Sequence, residues 1–159
     1  MHKNHCPIGV FDSGLGGLTA VKELMRQLPQ EDIVYFGDTA RVPYGTKSKE
    51  AIIRFSQENA EFLIKHKVKM IVVACNSSSS FALEYLRKKY SLPIVGVIVP
   101  GACKAVQMTR KQLIGVIATS ATINSGEYER TIKGIDKNIR VVNTACPLFV
   151  PLVEEGWFQ

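Results

Sequence analysis

Short β-branched apolar runs alternate with longer amphipathic stretches along the whole chain, the pattern of a parallel sheet flanked by helices. Pro7–Phe11 predicts a first strand. Leu18–Leu28 predicts a helix with Leu18, Val21, Leu24, Met25 and Leu28 on one face, stopped by Pro29. Ile33–Phe36 predicts a second strand, followed by a Gly- and Pro-rich loop from Gly37 to Thr46. Ser48 predicts the N-cap of a helix reaching His66. Met70–Ala74 reads as a third buried strand, Ser77–Tyr90 as a third helix and Pro93–Ile98 as a fourth strand.

After Pro100 the pattern restarts with a helix over Gly101–Met108, a strand over Leu113–Ala118, a helix from near Ala121 and a strand over Ile139–Asn143. The expectation is an α/β fold of two doubly wound, mostly parallel lobes, residues 1–98 and 99–159. The second lobe is expected to be incomplete, because the sequence reaches Glu154–Gln159 just as another helix should begin.

In open parallel sheets a ligand lies beyond the carboxyl ends of the strands, and here those positions are small and polar. They carry Asp12-Ser13-Gly14-Leu15-Gly16-Gly17, Gly37-Asp38-Thr39, Cys75-Asn76-Ser77 and Thr119-Ser120-Ala121-Thr122. A carboxylate, hydroxyls, a thiol, an amide and helix N-termini should converge on one crevice suited to a small, anionic, hydrogen-bonding molecule. The glycine loop falls short of a dinucleotide fingerprint, since Thr19 stands where a third glycine is needed and Asp38 sits in a loop. An NAD-type oxidoreductase lobe is therefore the runner-up. No Gly-Lys-Ser or Gly-Lys-Thr follows, so a phosphate-binding Walker loop is excluded.

Glycines that permit a tight strand-to-helix turn account for Gly16 and Gly17 but not for Asp12, because an unpaired carboxylate at a buried strand end is costly. Cys75 ends a strand and opens a helix, so backbone amides and the helix dipole should lower its thiol pKa from about 8.5 and make it a base or nucleophile. Cys103, beside Ala102 and Ala105, reads as a small core residue, and Cys6 and Cys146 read likewise.

Composition narrows the field further. A chain of 159 residues with 46% hydrophobic and 21% charged residues is globular, not disordered, collagen-like or a coiled coil. The net charge of +6 is scattered, densest at Lys65, Lys67 and Lys69 and at Arg87-Lys88-Lys89, which suits a solvated face better than nucleic acid. Uncharged stretches such as Ser91–Cys103 and Gln112–Gly126 are too short for a membrane span, which needs about 20 apolar residues. The N-terminus lacks the apolar core of a signal peptide, so a cytoplasmic protein is expected. The cysteines are widely spaced, and His2, His5 and Cys6 read as a frayed terminus, so no metal is expected.

Taken together, Phe11–Gly17, Tyr35–Asp38, Arg41–Gly45, Ala74–Ser77, Gly115–Thr119 and Ala145–Gly156 resemble the glutamate racemases of the cofactor-independent aspartate/glutamate racemase superfamily, in the family's order. The resemblance implies a two-lobed fold with the active site between the lobes and a role in supplying D-glutamate for peptidoglycan. It implies no cofactor, glutamate as the small-molecule partner, and room for a homodimer. Inversion needs a base on one face of the α-carbon and an acid on the other, and two thiols can exchange those roles. By the resemblance Cys75 is one of them, Asp12 assists at the ammonium and thiol, and Asp38 and Glu154 are supporting catalytic acids. Ser13, Pro43, Tyr44, Gly45, Asn76, Ser77 and Thr119 are implied to hold the substrate carboxylates. Two departures stand out. Ser77 replaces the family's threonine after Cys-Asn, and the family's second cysteine belongs to a Cys-Thr-His motif absent from these residues, a context neither Cys103 nor Cys146 matches. The chain alone is therefore expected to be inactive as a racemase. A non-catalytic relic of such a lobe is a further alternative.

Overall fold

The computed structural model describes residues 6–157, so His2 and His5 lie outside the described residues. Strands β1 (Ile8–Asp12), β2 (Ile33–Gly37), β3 (Met70–Val73) and β4 (Ile94–Gly96) form a parallel sheet in the order β2-β1-β3-β4. Ile8 is level with both Ile33 and Met70, and Ile71 is level with Ile94. That register brings the loops after β1, β2 and β3 to the same sheet edge.

β1 is buried along its whole length because helices cover both faces. Phe11 packs with Ala60 and Leu63 of α2 (Lys49–Lys65) and Leu86 of α4 (Leu83–Lys89). On the other face Ile8 and Val10 meet Val21 and Leu24 of α1 (Leu18–Gln27). Ser48 caps α2 as expected, its hydroxyl accepting the Ala51 N–H at 3.2 Å. Leu18, Met25 and Leu28, expected on the inner face of α1, are instead 45%, 61% and 42% exposed.

β5 (Leu113–Ala118) and β6 (Arg140–Ala145) form a separate parallel pair, with Leu113 level with Arg140 and Ala118 with Ala145. Behind them α5 (Ile98–Met108) and α7 (Glu127–Ile135) close a small core of Ala102, Ile132 and Ile139. Two short helices, α6 (Ser120–Ser125) and α8 (Phe149–Glu154), follow β5 and β6. No helix among the described residues is long and apolar enough to cross a membrane.

Two departures from the expected boundaries change the reading of the chain. The helix predicted over Ser77–Tyr90 is two helices, α3 (Asn76–Phe81) and α4, joined at Ala82. Its serines compete for backbone groups: Ser79 Oγ donates to the Val73 carbonyl and Ser80 Oγ to the Asn76 carbonyl, each at 2.9 Å. The fourth strand ends at Gly96, and Ile98 already belongs to α5. Pro100 falls in the first turn of that helix, where no backbone N–H is needed, so it opens a helix instead of separating two elements.

Candidate active site

A cavity of about 580 Å³ opens where the carboxyl ends of the two sheets face each other. Asp12, Ser13, Pro43, Tyr44, Gly45, Cys75, Asn76, Ser77, Thr119 and Glu154 all line it. Asp38, also expected in the site, does not reach the wall.

Asp12 ends β1 and is 8% exposed. It is paired within its own loop: Oδ2 accepts the Gly17 N–H at 2.8 Å and the Gly14 N–H at 3.4 Å. The carboxylate thus shapes the glycine loop with one oxygen, and among the described residues Oδ1 takes no such bond. Tyr35 braces the same loop from β2, its hydroxyl donating to the Gly14 carbonyl at 2.5 Å. Burial and the nearby Asp12 charge push the Tyr35 hydroxyl well above the usual tyrosine range, so it remains a donor. From α8, Glu154 Oε1 accepts the Leu15 N–H at 2.8 Å. A Cβ at Gly14 would lie 2.2 Å from that same oxygen, so any side chain there would have to displace the Glu154 carboxylate.

Cys75 is the N-cap of α3 and is 4% exposed. Its sulfur accepts the Ser78 N–H at 3.5 Å and donates to Ser13 Oγ at 3.6 Å. The helix terminus does favour the thiolate, as expected, but it does not win. Burial pushes the thiol up, the Asp12 carboxylate pushes it further, and the contacts with Ser78 and Ser13 offset only part of this. The expectation of a depressed thiol pKa is therefore corrected: burial and the Asp12 carboxylate hold the Cys75 thiol above its ordinary value.

Ser77, Thr119 and Thr122 bring hydroxyls from both sides of the cavity together. Ser77 Oγ is 3.1 Å from Thr119 Oγ1 and 3.4 Å from Thr122 Oγ1, and the two threonine oxygens are 3.1 Å apart. Thr119 also caps α6 through the Thr122 N–H.

Asp38 lies behind the wall, 4% exposed. It accepts Arg41 Nε at 2.6 Å and the Tyr44 hydroxyl, while Asn59 Nδ2 donates to Tyr44 Oη at 3.0 Å. Arg41 also stacks 4.3 Å over the Phe55 ring. This network fixes the turn Tyr44–Thr46, placing Gly45 so close to Thr119 that a Cβ would lie 2.2 Å from Thr119 Cβ. Burial beside Asp38 pushes the Tyr44 hydroxyl far above its ordinary range, so it stays protonated.

A sequence profile of the Asp/Glu/Hydantoin racemase family matches residues 8–153. The chain belongs to that family. A glutamate racemase of Geobacter metallireducens is 57% identical over 94% of this chain and 56% of its own length. Among solved structures, a glutamate racemase isoform of Bacillus anthracis superposes with a TM-score of 0.92 at 45% identity, over 96% of this chain and 57% of that one. The glutamate racemase of Francisella tularensis in complex with D-glutamate gives 0.90 at 47% identity, over 98% and 58%. The chain thus spans a little over half the length of the relatives it matches. Membership of this racemase family displaces the dinucleotide-binding alternative.

Three features of this racemase-family cavity escaped sequence reasoning. Cys146, taken as core, is half-buried and lines the cavity. It directly follows β6, so the strand-end rule would have found it had the strand not been ended at Asn143. Phe149, Val150 and Val153 of α8 add an apolar wall. Tyr128, inside α7, lines the cavity as well and carries no strand-end signal. Among the described residues no group of His, Cys, Asp and Glu is arranged to hold a metal.

Proposed function

We propose that this chain supplies the substrate-holding part of a cofactor-independent glutamate racemase, with Cys75 as the acid/base on one face of the α-carbon. The observation that carries the reading is a buried thiol held beside a buried carboxylate, at a cavity where hydroxyls from both sheets converge. Asp12 Oδ1 takes the substrate ammonium. Binding that cation offsets the carboxylate charge that holds the Cys75 thiol up, so the substrate itself eases formation of the thiolate. Ser13, Asn76, Ser77 and Thr119, with the backbone at Gly45, hold the carboxylates. These donors stand ready before the α-carbanion forms. Asp38 supports the site through Tyr44, and Glu154 through the Leu15 amide. The two-lobe division at 1–98 and 99–159, a cytoplasmic location and room for a homodimer belong to the same reading.

The opposite face needs a second acid/base, which the family resemblance places in a Cys-Thr-His segment absent from these residues. The 159-residue chain is therefore expected to exchange the α-proton of one glutamate enantiomer with solvent deuterium without inverting it, and Cys75→Ser to abolish the exchange. Proton NMR reads the exchange and polarimetry the inversion. Full racemisation abolished by Cys146→Ser would place the second base at Cys146. Calorimetry showing tight NAD binding and no glutamate binding would overturn the reading.

A further inference from the structure

We propose that Tyr128 is a positioning residue that pins the Asn76 side-chain amide, so that its two N–H donors face the cavity and select a carboxylate; this rests on the glutamate reading above. Tyr128 Oη lies 2.7 Å from Asn76 Oδ1, the usual separation of an O–H···O bond and shorter than most N–H···O bonds. The tyrosine therefore donates and the amide oxygen accepts. With its oxygen turned toward Tyr128, the edge the amide keeps for the cavity is Nδ2, which carries two donor protons and accepts nothing. A carboxylate satisfies that edge and an ammonium does not.

The pin is built from both sides of the molecule. Asn76 is the first residue of α3, next to Cys75, and its side chain lines the cavity. Tyr128 stands on α7, one turn before the fully buried Ile132, and its ring packs into the core shared with Ala102 and Ile139. The ring is thus anchored in one core while its hydroxyl reaches the loop of the other sheet. Burial raises the Tyr128 pKa, so the hydroxyl keeps its proton throughout the neutral range. Nothing else in the proposed mechanism uses this hydroxyl.

Tyr128→Phe keeps the ring and removes only the pin. Calorimetric titration of D-glutamate into the 159-residue chain should give about fivefold weaker binding for this variant, the equivalent of one hydrogen bond, with only a small fall in melting temperature. In an Asn76→Ala background the same change should have no further effect. Equal losses in both backgrounds would show that Tyr128 does not act through Asn76, and no loss in the parent would overturn the inference directly. A ligand-free measurement separates this inference from the glutamate reading. In ¹⁵N-labelled chain the Asn76 side-chain amide should give two well-separated proton resonances that move toward each other in Tyr128→Phe. Unmoved resonances overturn the pin whether or not glutamate binds, whereas failure of the parent chain to bind D-glutamate while the resonances respond counts against the glutamate reading alone.

Discussion

At the residue scale the site is governed by the pairing of Cys75 with Asp12. A thiol at a helix N-terminus ordinarily gains thiolate character, yet this one is sealed from water beside a carboxylate, and both effects favour the proton. The sign gives a direct expectation. Asp12→Asn removes the negative charge, so the pH midpoint for Cys75 alkylation should fall and its rate at pH 7 should rise severalfold. A midpoint that stayed in place would assign the shift to burial alone. Gly45 offers a second test. A Cβ there would meet Thr119 Cβ at 2.2 Å and Thr119 Oγ1 at 2.7 Å. Gly45→Ala should therefore cost about 1–3 kcal/mol as overpacking, measured by urea denaturation, and should weaken D-glutamate binding by moving the Thr119 hydroxyl.

At the element scale the loop after β2 is the part least able to hold its own shape, and a buried polar network holds it. Tyr44 is the centre, donating to Asp38 and accepting from Asn59. Tyr44→Phe leaves the Asn59 donor and part of the Asp38 carboxylate without that partner. It should lower stability by about 1–3 kcal/mol, the usual cost of unsatisfied buried groups, read as a lower urea midpoint with an unchanged slope. Sequence reasoning placed all six strands because each carries a short β-branched apolar run, even though β5 and β6 are largely exposed. The strand-end rule pointed to Asp12, Ser13, Cys75, Asn76, Ser77 and Thr119 of the cavity wall, since it concerns loops whose position the sheet dictates, whereas Pro43, Tyr44, Gly45 and Glu154 followed from the family resemblance alone. It failed where a local signal had two readings. Pro100 stops a strand or opens a helix, and only packing decides. The serines after Cys75 suit a helix start, but their backbone bonds divide the helix at Ala82. Asp38 looked like its neighbours at the strand ends, and only Arg41, Tyr44 and Asn59 reveal that it faces away from the cavity.

At the scale of the whole molecule much apolar surface is uncovered. A second hollow of about 590 Å³, lined by Leu24, Leu28, Met70, Val72, Val95 and Val99, opens on the face of the first sheet beside α1. Leu148, Phe149 and Trp157 are also more than half exposed, at 68%, 53% and 72%. Patches of this kind promote association. Sedimentation of the isolated chain should show a molecular weight that rises with concentration and falls when Leu28 and Val95 are both replaced by Ser. One core lies around Phe11 and Leu63 and another around Ile132 and Ile139, and the cavity lies at their seam, which a small buried cluster of Tyr44, Ile52, Cys75 and Ala121 bridges. A molecule lodged between Asp12 and Thr119 is then a strut between two bodies. Its effect on heat denaturation differs from that of a ligand inside one core, because besides raising the melting temperature it makes melting cooperative across the seam. Two overlapping calorimetric peaks in the empty chain should merge into one as the cavity fills, so the sharpness of the transition reports occupancy independently of its position.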